Sequence, residues 1–181
     1  MFISRLAPGQ RETLEGITTR RRPEKGAEKG TGKMNPMPKP LDAIHRVLRG
    51  EAPPPPIATL LGFTLKAIEP GRAVVAFEAS ERHANPLGTL HGGVLCDLAD
   101  LAMGWAYAAT VAEGQSFTTL ELKINFLRPV WDGKLLAVAR VVKGGRTVGL
   151  VECDVTDDQD RLVARASSTC MTLRGDAAKG R

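Results

Sequence analysis

The stretch that most constrains the fold of this chain runs from residue 83 to residue 111. It opens with a loop that carries the turn-forming residues Asn, Pro and Gly, and continues as apolar and small residues that recur near helical spacing. A helix over residues 93–112 would be roughly 30 Å long, close to the length of a membrane span. It contains Asp97 and Asp100, however, and a charge at the centre of a bilayer costs roughly 3 kcal/mol. The pattern therefore predicts a long core helix of a globular domain.

Alternation of apolar and polar residues predicts strands on both sides of this helix. They lie before it at residues 61–68 and 73–79, and after it at 119–126, 134–142, 147–155 and 162–173. In the first strand after the helix, alternation puts Leu120 and Leu122 on one face and Thr119 and Glu121 on the other. Short turns join consecutive strands, which is typical of antiparallel neighbours. Because such a sheet must cover its apolar face, the sequence predicts an α+β fold in which one antiparallel sheet wraps around one long central helix.

Composition divides the chain into four parts. We predict a disordered basic leader at residues 1–40, a short helix and Pro-rich connector at 41–56, the folded domain at 57–175 and a frayed tail at 176–181. Residues 1–33 hold eight Lys or Arg and four Glu, a net charge of +4, whereas the whole chain carries +5. Since the positive charge belongs mostly to the leader, we expect no nucleic-acid-binding surface on the domain.

Cysteine usage and the N-terminus bear on location. The three cysteines form no CxxC pair, which argues against a disulfide scaffold or a zinc ribbon and suits a reducing compartment. The N-terminus lacks the apolar segment of a signal peptide, and nothing else in the sequence is typical of a membrane anchor. We therefore expect a cytoplasmic protein with no membrane partner. His and Asp residues of the central stretch lack a recognised metal-ligand spacing, so we also expect no metal.

Three motifs in order resemble the hotdog-fold acyl-CoA thioesterases. They are HxNPxGxxHGGVxxxLADxAMG at residues 83–104, INFLRPV at 124–130 and the GGRT turn at 144–147. The chain is most similar to the phenylacetyl-CoA thioesterase-like subgroup, over about residues 57–173. The resemblance implies a hotdog fold that hydrolyses an aryl- or medium-chain acyl-CoA. It also implies a homodimer or a dimer of dimers that needs no cofactor besides the coenzyme A of its substrate.

The same resemblance implies roles for individual residues. Asp100 corresponds to the carboxylate that acts as general base or nucleophile, and Gly92 to the residue whose backbone N–H binds the thioester carbonyl. Asn85 corresponds to an asparagine near the reacting centre. Thr118 lies in the region of a strand hydroxyl that helps to place water. His91 supports the site, either in catalysis or by orienting the loop through a hydrogen bond.

The residues themselves are consistent with that chemistry. A helix N-terminus offers free N–H groups and the positive end of the helix dipole. Gly92 and Gly93 carry no side chains there, so a substrate carbonyl can approach the backbone closely. On an apolar helix, desolvation should raise the pKa of Asp100 and make it a better base. Arg128 and Arg146 are candidates for contacts with coenzyme A phosphates, although an arginine in a turn is often simply solvated.

The spacing of the two central groups predicts how many chains form a site. Eight residues separate Gly92 from Asp100, which is roughly 12 Å along a helix. Both groups must come within about 3 Å of one reacting group. Two antiparallel helices in a dimer can achieve this by pairing Gly92 of one subunit with Asp100 of the other. The spacing therefore favours a two-fold interface with two sites.

Two other functions remain open at the level of sequence. A hotdog hydratase or dehydratase would need a different arrangement of histidine and carboxylate, which we do not find. A non-catalytic acyl-CoA sensor would bind the ligand without hydrolysis and would normally carry a DNA-binding segment. Residues 1–40 show no pair of amphipathic helices suited to that task. Asp100 could also be a buried structural carboxylate.

Overall fold

The computed structural model describes residues 39–178. Helices α1 (Pro40–Leu48) and α2 (Pro56–Leu61) precede strands β1 (Thr64–Glu69) and β2 (Arg72–Ala79). The central helix α3 (Gly92–Ala108) follows, and then β3 (Ser116–Phe126), β4 (Gly133–Lys143), β5 (Val148–Asp157) and β6 (Leu162–Leu173). Short 3-10 turns lie at Glu81–His83 and Gly175–Ala178. The prediction of a disordered leader falls on residues outside the described range, apart from its last two.

The six strands form one sheet in the order β1-β2-β4-β5-β6-β3, and every neighbouring pair is antiparallel. Helix α3 packs against all six strands. The sheet therefore curves around the helix, and β1 and β3 are its two edges. This confirms the predicted hotdog arrangement. Among the described helices, none is long and apolar enough to cross a membrane.

The side of α3 that faces the sheet is made of small and medium apolar residues. Leu98, Ala99, Ala102, Met103 and Ala106 are all fully buried. Alanine, leucine and methionine are strong helix formers, and the alanines let the helix axis lie close to the strands. Burial of a side chain the size of Leu98 or Met103 contributes roughly 1.5–3 kcal/mol to the stability of the domain. The core thus fixes the depth of α3, and with it the position of any polar group on its other side.

Three boundaries differ from the sequence prediction. The helix α2 occupies the start of the predicted strand 61–68, so β1 begins at Thr64. Pro56 lies at the first turn of α2, and Gly62 ends it with a positive φ of 80°, a conformation that glycine adopts easily. Residues 176–178 of the predicted frayed tail belong to a 3-10 turn in which Ala178 is buried, and the rest of that tail lies outside the described residues. The central helix ends at Ala108, four residues short of the predicted end.

An irregularity in β3 changes which of its residues face α3. Thr119 pairs with Cys170 of β6 and Glu121 with Thr169, so Leu120 is an extra residue in the ladder. Such a β-bulge reverses the alternation of side chains, because the period of a strand is two residues. Thr119 therefore lies on the same inner face as Leu122, which packs against the core. The prediction that these two residues lie on opposite faces is wrong.

Candidate active site

The site begins at the N-terminus of α3. His91 precedes the helix in an extended conformation, and its Nδ1 accepts a 2.8 Å hydrogen bond from the backbone N–H of Gly93. The carbonyl oxygen of His91 accepts another from the N–H of Val94. Within the described part of the chain, the N–H of Gly92 makes no hydrogen bond. It is therefore available to an external acceptor, at the positive end of the helix dipole.

The loop before the helix is held by its own hydrogen bonds. Its two ends are joined by a 2.9 Å bond from the N–H of His91 to the carbonyl oxygen of His83. Inside it, Oδ1 of Asn85 accepts from the N–H of Leu87 and Nδ2 donates to Oγ1 of Thr89, both at 2.8 Å. The Asn85 side chain thus forms an Asx-type turn, which orders the loop. In this structure Asn85 supports the site from the loop, and its amide is already occupied.

A cavity of about 450 Å³ opens beside the N-terminus of α3. Gly92 and Asn85 line it on one side, and Phe126 and Arg128, at the end of β3, line it on the other. A Cβ atom on Gly92 would lie 2.9 Å from the ring of Phe126, so only glycine leaves room for this ring against the helix. The structure therefore brings together three predicted site residues, Asn85, Gly92 and Arg128, around a cavity next to a free N–H.

Asp100 lies about two turns further along α3 and outside this cavity. Oγ1 of Thr119 donates a 3.2 Å hydrogen bond to Oδ1 of Asp100. Although solvent reaches the carboxylate in a single chain, desolvation by the packing around it raises its pKa, and the nearby charge of Asp97 acts in the same direction. The hydrogen bond from Thr119 lowers the pKa of Asp100 and offsets part of this effect. A carboxylate with a raised pKa is better suited to accept a proton near neutral pH.

The hydroxyl next to Asp100 belongs to Thr119, although the sequence pointed to Thr118. Alternation counted back from Leu122 places Thr118 on the inner face, but the bulge at Leu120 reverses the count. Thr118 is half-buried and pairs with Met171 of β6. Within residues 39–178, Thr118 makes no hydrogen bond with Asp100. In this structure the hydroxyl that reaches Asp100 is therefore that of Thr119, and a role for Thr118 in placing water stays a prediction.

The two predicted phosphate ligands lie at opposite ends of the sheet. Arg128 is in the connection that leads into β4, whereas Arg146 follows the end of β4. A strand of that length separates its ends by about 35 Å. The backbone carbonyl of Arg146 also accepts a hydrogen bond from the guanidinium of Arg174. Within one chain, Arg128 and Arg146 therefore cannot hold the same phosphate. The N–H of Gly93, the remaining predicted contact, is used by His91.

Residues 39–178 give no support for a metal site or for a cysteine nucleophile. No group of three or more His, Cys, Asp or Glu side chains there could hold a metal ion. All three cysteines are free, and Cys96, one turn before Asp100, is half-buried. Burial raises the pKa of the Cys96 thiol, so the reactive thiolate is disfavoured.

Comparison with known proteins identifies the class. Residues 87–164 match the thioesterase superfamily. The crystal structure of a phenylacetic acid degradation-related protein from Ralstonia eutropha superimposes with a TM-score of 0.65 and 37% identity. This alignment covers 70% of the present chain and 97% of the other. A 1,4-dihydroxy-2-naphthoyl-CoA hydrolase of Listeria monocytogenes is 29% identical over 109 residues, covering 60% of this chain and 89% of that protein. Human acyl-coenzyme A thioesterase 13 is 29% identical over 108 residues, covering 59% and 76% respectively.

The hotdog fold and these similarities together define an enzyme of the thioester hydrolase class. The chain belongs to the thioesterase superfamily, with neighbours among the phenylacetic acid degradation-related proteins. This confirms the resemblance drawn from the motifs. Sequence reasoning missed Thr119 and Phe126 as parts of the site. Phe126 could have been found from its position at the end of the apolar face of β3, but nothing in the one-dimensional pattern marks the bulge that brings Thr119 inward.

Proposed function

We propose that the protein hydrolyses the thioester of an aryl- or medium-chain acyl-CoA to the free acid and coenzyme A. The observation that carries the proposal is the free N–H of Gly92 beside a cavity, on the helix that also presents Asp100. Relatives named as an acyl-coenzyme A thioesterase and as a naphthoyl-CoA hydrolase support coenzyme A as the carrier. The phenylacetic acid-related neighbour supports an aromatic acyl group.

The proposed reaction uses two groups. Asp100 removes a proton from water, and the water oxygen bonds to the thioester carbon. The electron pair of the C=O bond moves to its oxygen, which accepts a hydrogen bond from the N–H of Gly92. Collapse of this intermediate breaks the C–S bond, and the departing thiolate receives the proton held by Asp100. In the alternative, the Asp100 carboxylate itself attacks the carbon, the C–S bond breaks, and the departing thiolate takes a proton from solvent to give coenzyme A. Water then hydrolyses the mixed anhydride, which releases the free acid and restores the Asp100 carboxylate.

Two chains are needed to bring the two groups together. Gly92 and Asp100 are roughly 12 Å apart along one helix, which is too far for both to reach the same thioester. The strand next to Asp100, β3, is an edge of the sheet, and its apolar Leu120 and Phe126 are each 53% exposed. An exposed edge with apolar side chains is suited to pairing with a second copy. A homodimer through α3 and β3, alone or as half of a tetramer, would place Gly92 of one subunit near Asp100 of the other.

The nucleotide end of coenzyme A would extend along the β3–β4 connection. A second depression there, of about 610 Å³, shares Arg128 with the cavity beside Gly92. Trp131, which is 59% exposed, and Arg161 also line it. A guanidinium binds phosphate through paired donors, and an exposed aromatic face can stack on a base. Arg128 is thus the stronger candidate for a coenzyme A contact, whereas a contact by Arg146 requires the second subunit.

The proposal includes no bound metal or cofactor, because the two-group reaction needs neither. It also places the enzyme in the cytoplasm, where free thiols such as those of Cys153 and Cys170 stay reduced.

The decisive experiment compares two variants of α3 in a thiol-release assay with a panel of acyl-CoA substrates. Asp100→Asn keeps the size of the side chain but removes the base, so turnover should fall by roughly 10²–10⁴-fold. Asp97→Asn removes a carboxylate from the same helix, three residues earlier, and should have little effect. Full activity of Asp100→Asn would contradict the mechanism. Equal losses in both variants would indicate damage to the helix, and binding of acyl-CoA without any thiol release by the unsubstituted enzyme would contradict the function.

A further inference from the structure

Ser168 is a fully buried hydroxyl on the inner face of β6, next to Ala166 and Cys170. Among residues 39–178, the only polar or charged residues that are buried are Ser168 and Asp157. Asp157 holds a surface turn together by accepting hydrogen bonds from Arg161 and from the N–H of Gln159. A hydroxyl buried among apolar side chains costs stability unless it makes a hydrogen bond, so Ser168 needs its own explanation.

The partner of Ser168 is the backbone of the bulge in β3. Oγ of Ser168 donates a 2.9 Å hydrogen bond to the carbonyl oxygen of Glu121. Glu121 is the residue at which regular pairing with β6 resumes after the extra residue Leu120. A bulge disrupts the ladder locally and leaves backbone groups without their usual partners. The Ser168 hydroxyl donates to the Glu121 carbonyl at this irregular point of the ladder, from inside the core. Its other neighbour, Sγ of Cys170 at 3.8 Å, is a weak partner.

The bulge decides which threonine faces α3. In a regular strand, residues three positions apart face opposite sides of the sheet. Thr119, which pairs with Cys170, and Leu122 could then not both face inward. The extra residue allows both Thr119 and Leu122 to point inward, and Thr119 then reaches Oδ1 of Asp100. The hydrogen bond of Ser168 lies between these two inward positions.

We propose that Ser168 is a positioning residue whose hydroxyl holds the β3 bulge in the arrangement that places Thr119 against Asp100. This inference rests on the proposed function, in which Asp100 activates water. Among the described residues, Ser168 makes no hydrogen bond with Asp100, so it acts through the backbone of Glu121 and the side chain of Thr119. The hydrogen bond from Thr119 lowers the pKa of Asp100, so a loosened bulge should raise that pKa and move the acidic limb of the pH–rate profile to higher pH.

The test is a double-mutant cycle in the full chain. Ser168→Ala should loosen the bulge and thereby weaken the hydrogen bond from Thr119 to the charged Asp100. Losing one such bond should lower kcat/KM on the acidic side of the profile by about three- to tenfold. Thr119→Val should have the same effect directly. If Ser168 acts through Thr119, the double variant should be no less active than Thr119→Val alone, because the interaction can be lost only once. Independent, multiplicative losses in the double variant would overturn the proposal.

Thr169→Val is the matched control. Oγ1 of Thr169 donates to the side chain of the same Glu121, at 2.8 Å, but leaves its backbone carbonyl to Ser168. This variant removes a hydroxyl from the adjacent position of β6 and should keep the pH–rate profile of the unsubstituted enzyme. A shift in Thr169→Val equal to that in Ser168→Ala would show that any weakening of β6 has the same effect, and would overturn the specific role of Ser168.

Titration of the Asp100 carboxyl by NMR, without substrate, separates this inference from the proposed function. The pKa of Asp100 should be higher in Ser168→Ala than in the unsubstituted protein, whether or not the protein turns over a given thioester. An unchanged titration in a folded Ser168→Ala protein would overturn the positioning role. If Ser168→Ala does not fold, Ser168→Cys keeps the size but donates a weaker hydrogen bond. It should then show a smaller shift in the same direction, and an unshifted Asp100 in that variant would also overturn the proposal.

Discussion

Replacing Thr119 by valine should change the pH dependence of hydrolysis while keeping the fold. Valine has nearly the shape of threonine but cannot donate the 3.2 Å hydrogen bond to Asp100. Hydrogen bonds to charged groups contribute roughly 1.5–3 kcal/mol, and those between a hydroxyl and a carboxylate are usually 2.5–2.7 Å long. The present bond is longer and is reached by solvent. We therefore expect about 1 kcal/mol, which corresponds to about a fivefold change in rate.

The direction of the pH effect follows from the charge of Asp100. The base must be ionised, so activity is lost as the pH falls through the pKa of Asp100. Because the hydrogen bond from Thr119 lowers this pKa, its removal raises the pKa further above the ordinary value for a carboxyl. The acidic limb of kcat/KM should therefore move to higher pH in Thr119→Val, and the loss of activity should be greatest on the acidic side of the profile.

Thr118→Val is the control for this prediction. It removes a hydroxyl from the neighbouring residue, whose side chain lies on the other face of β3, and it should leave the profile unchanged. A pH series of thiol-release rates for the two variants is sufficient. A shift in Thr118→Val with none in Thr119→Val would refute the account of the bulge. A shift of the Thr119→Val limb to lower pH would refute the account of the Asp100 pKa.

Three further changes test other parts of the structure. Deleting residues 1–33 should leave the melting temperature and turnover nearly unchanged, because residues 20–33 contain almost no apolar side chains; a large loss of either would show that the segment packs on the domain. Asp100→Asn should be at least as stable as the unsubstituted protein in thermal unfolding at pH 7. Folding raises the pKa of Asp100, so the folded state favours the neutral carboxyl. Stability is therefore lost as the pH rises from the unfolded-state pKa through the folded-state pKa. A clearly lower melting temperature of Asp100→Asn would contradict this. Gly92→Ala should fold but lose activity, because its Cβ displaces the ring of Phe126 in the cavity, and an unchanged kcat/KM would count against that cavity as the substrate site.

The fold could be predicted because its signals are local and repeated. Helix α3 is marked by a long run of helix-forming residues, and the strands by alternation and short turns. The helix α2 was missed because six residues give little periodicity, although Pro56 and Gly62 are typical start and stop signals. The end of α3 was placed too late because alanines continue beyond Ala108 and give no stop signal. In the structure, Oγ1 of Thr110 donates a 2.7 Å hydrogen bond to the carbonyl of Tyr107 at this end.

The candidate site was predicted less completely, for a physical reason. The positions of Gly92 and Asp100 follow from helix geometry, which depends only on spacing. The position of Thr119 depends on the pairing of β3 with β6, where one extra residue reverses the faces. Strand register is a property of two segments together, so a single strand read in isolation cannot reveal a bulge. Ser168, whose hydroxyl bonds to the backbone of the bulge, is 47 positions from Glu121 in sequence.

The central claim is that each site combines Gly92 of one subunit with Asp100 of the other, and subunit mixing tests it most directly. Asp100→Asn removes the base, and Gly92→Pro removes the N–H and also adds a Cβ that displaces the Phe126 ring, so each chain lacks one half of the site. Proline is well tolerated at the first position of a helix, and His91, with a ψ of 131°, already has the extended conformation that a residue before proline prefers. Circular dichroism should first show that Gly92→Pro folds, and light scattering that the active unsubstituted protein is at least a dimer.

The two inactive chains should be unfolded together, refolded in equal amounts and assayed for thiol release. In a mixed dimer, Gly92 of the Asp100→Asn chain faces Asp100 of the Gly92→Pro chain, so one of the two sites is intact. Random assortment makes about half of the dimers mixed, and about a quarter of the original activity should therefore return. If both groups came from one chain, no combination would restore a site. Failure of the mixed sample to regain activity, with mixed dimers shown to be present, would contradict the cross-subunit site.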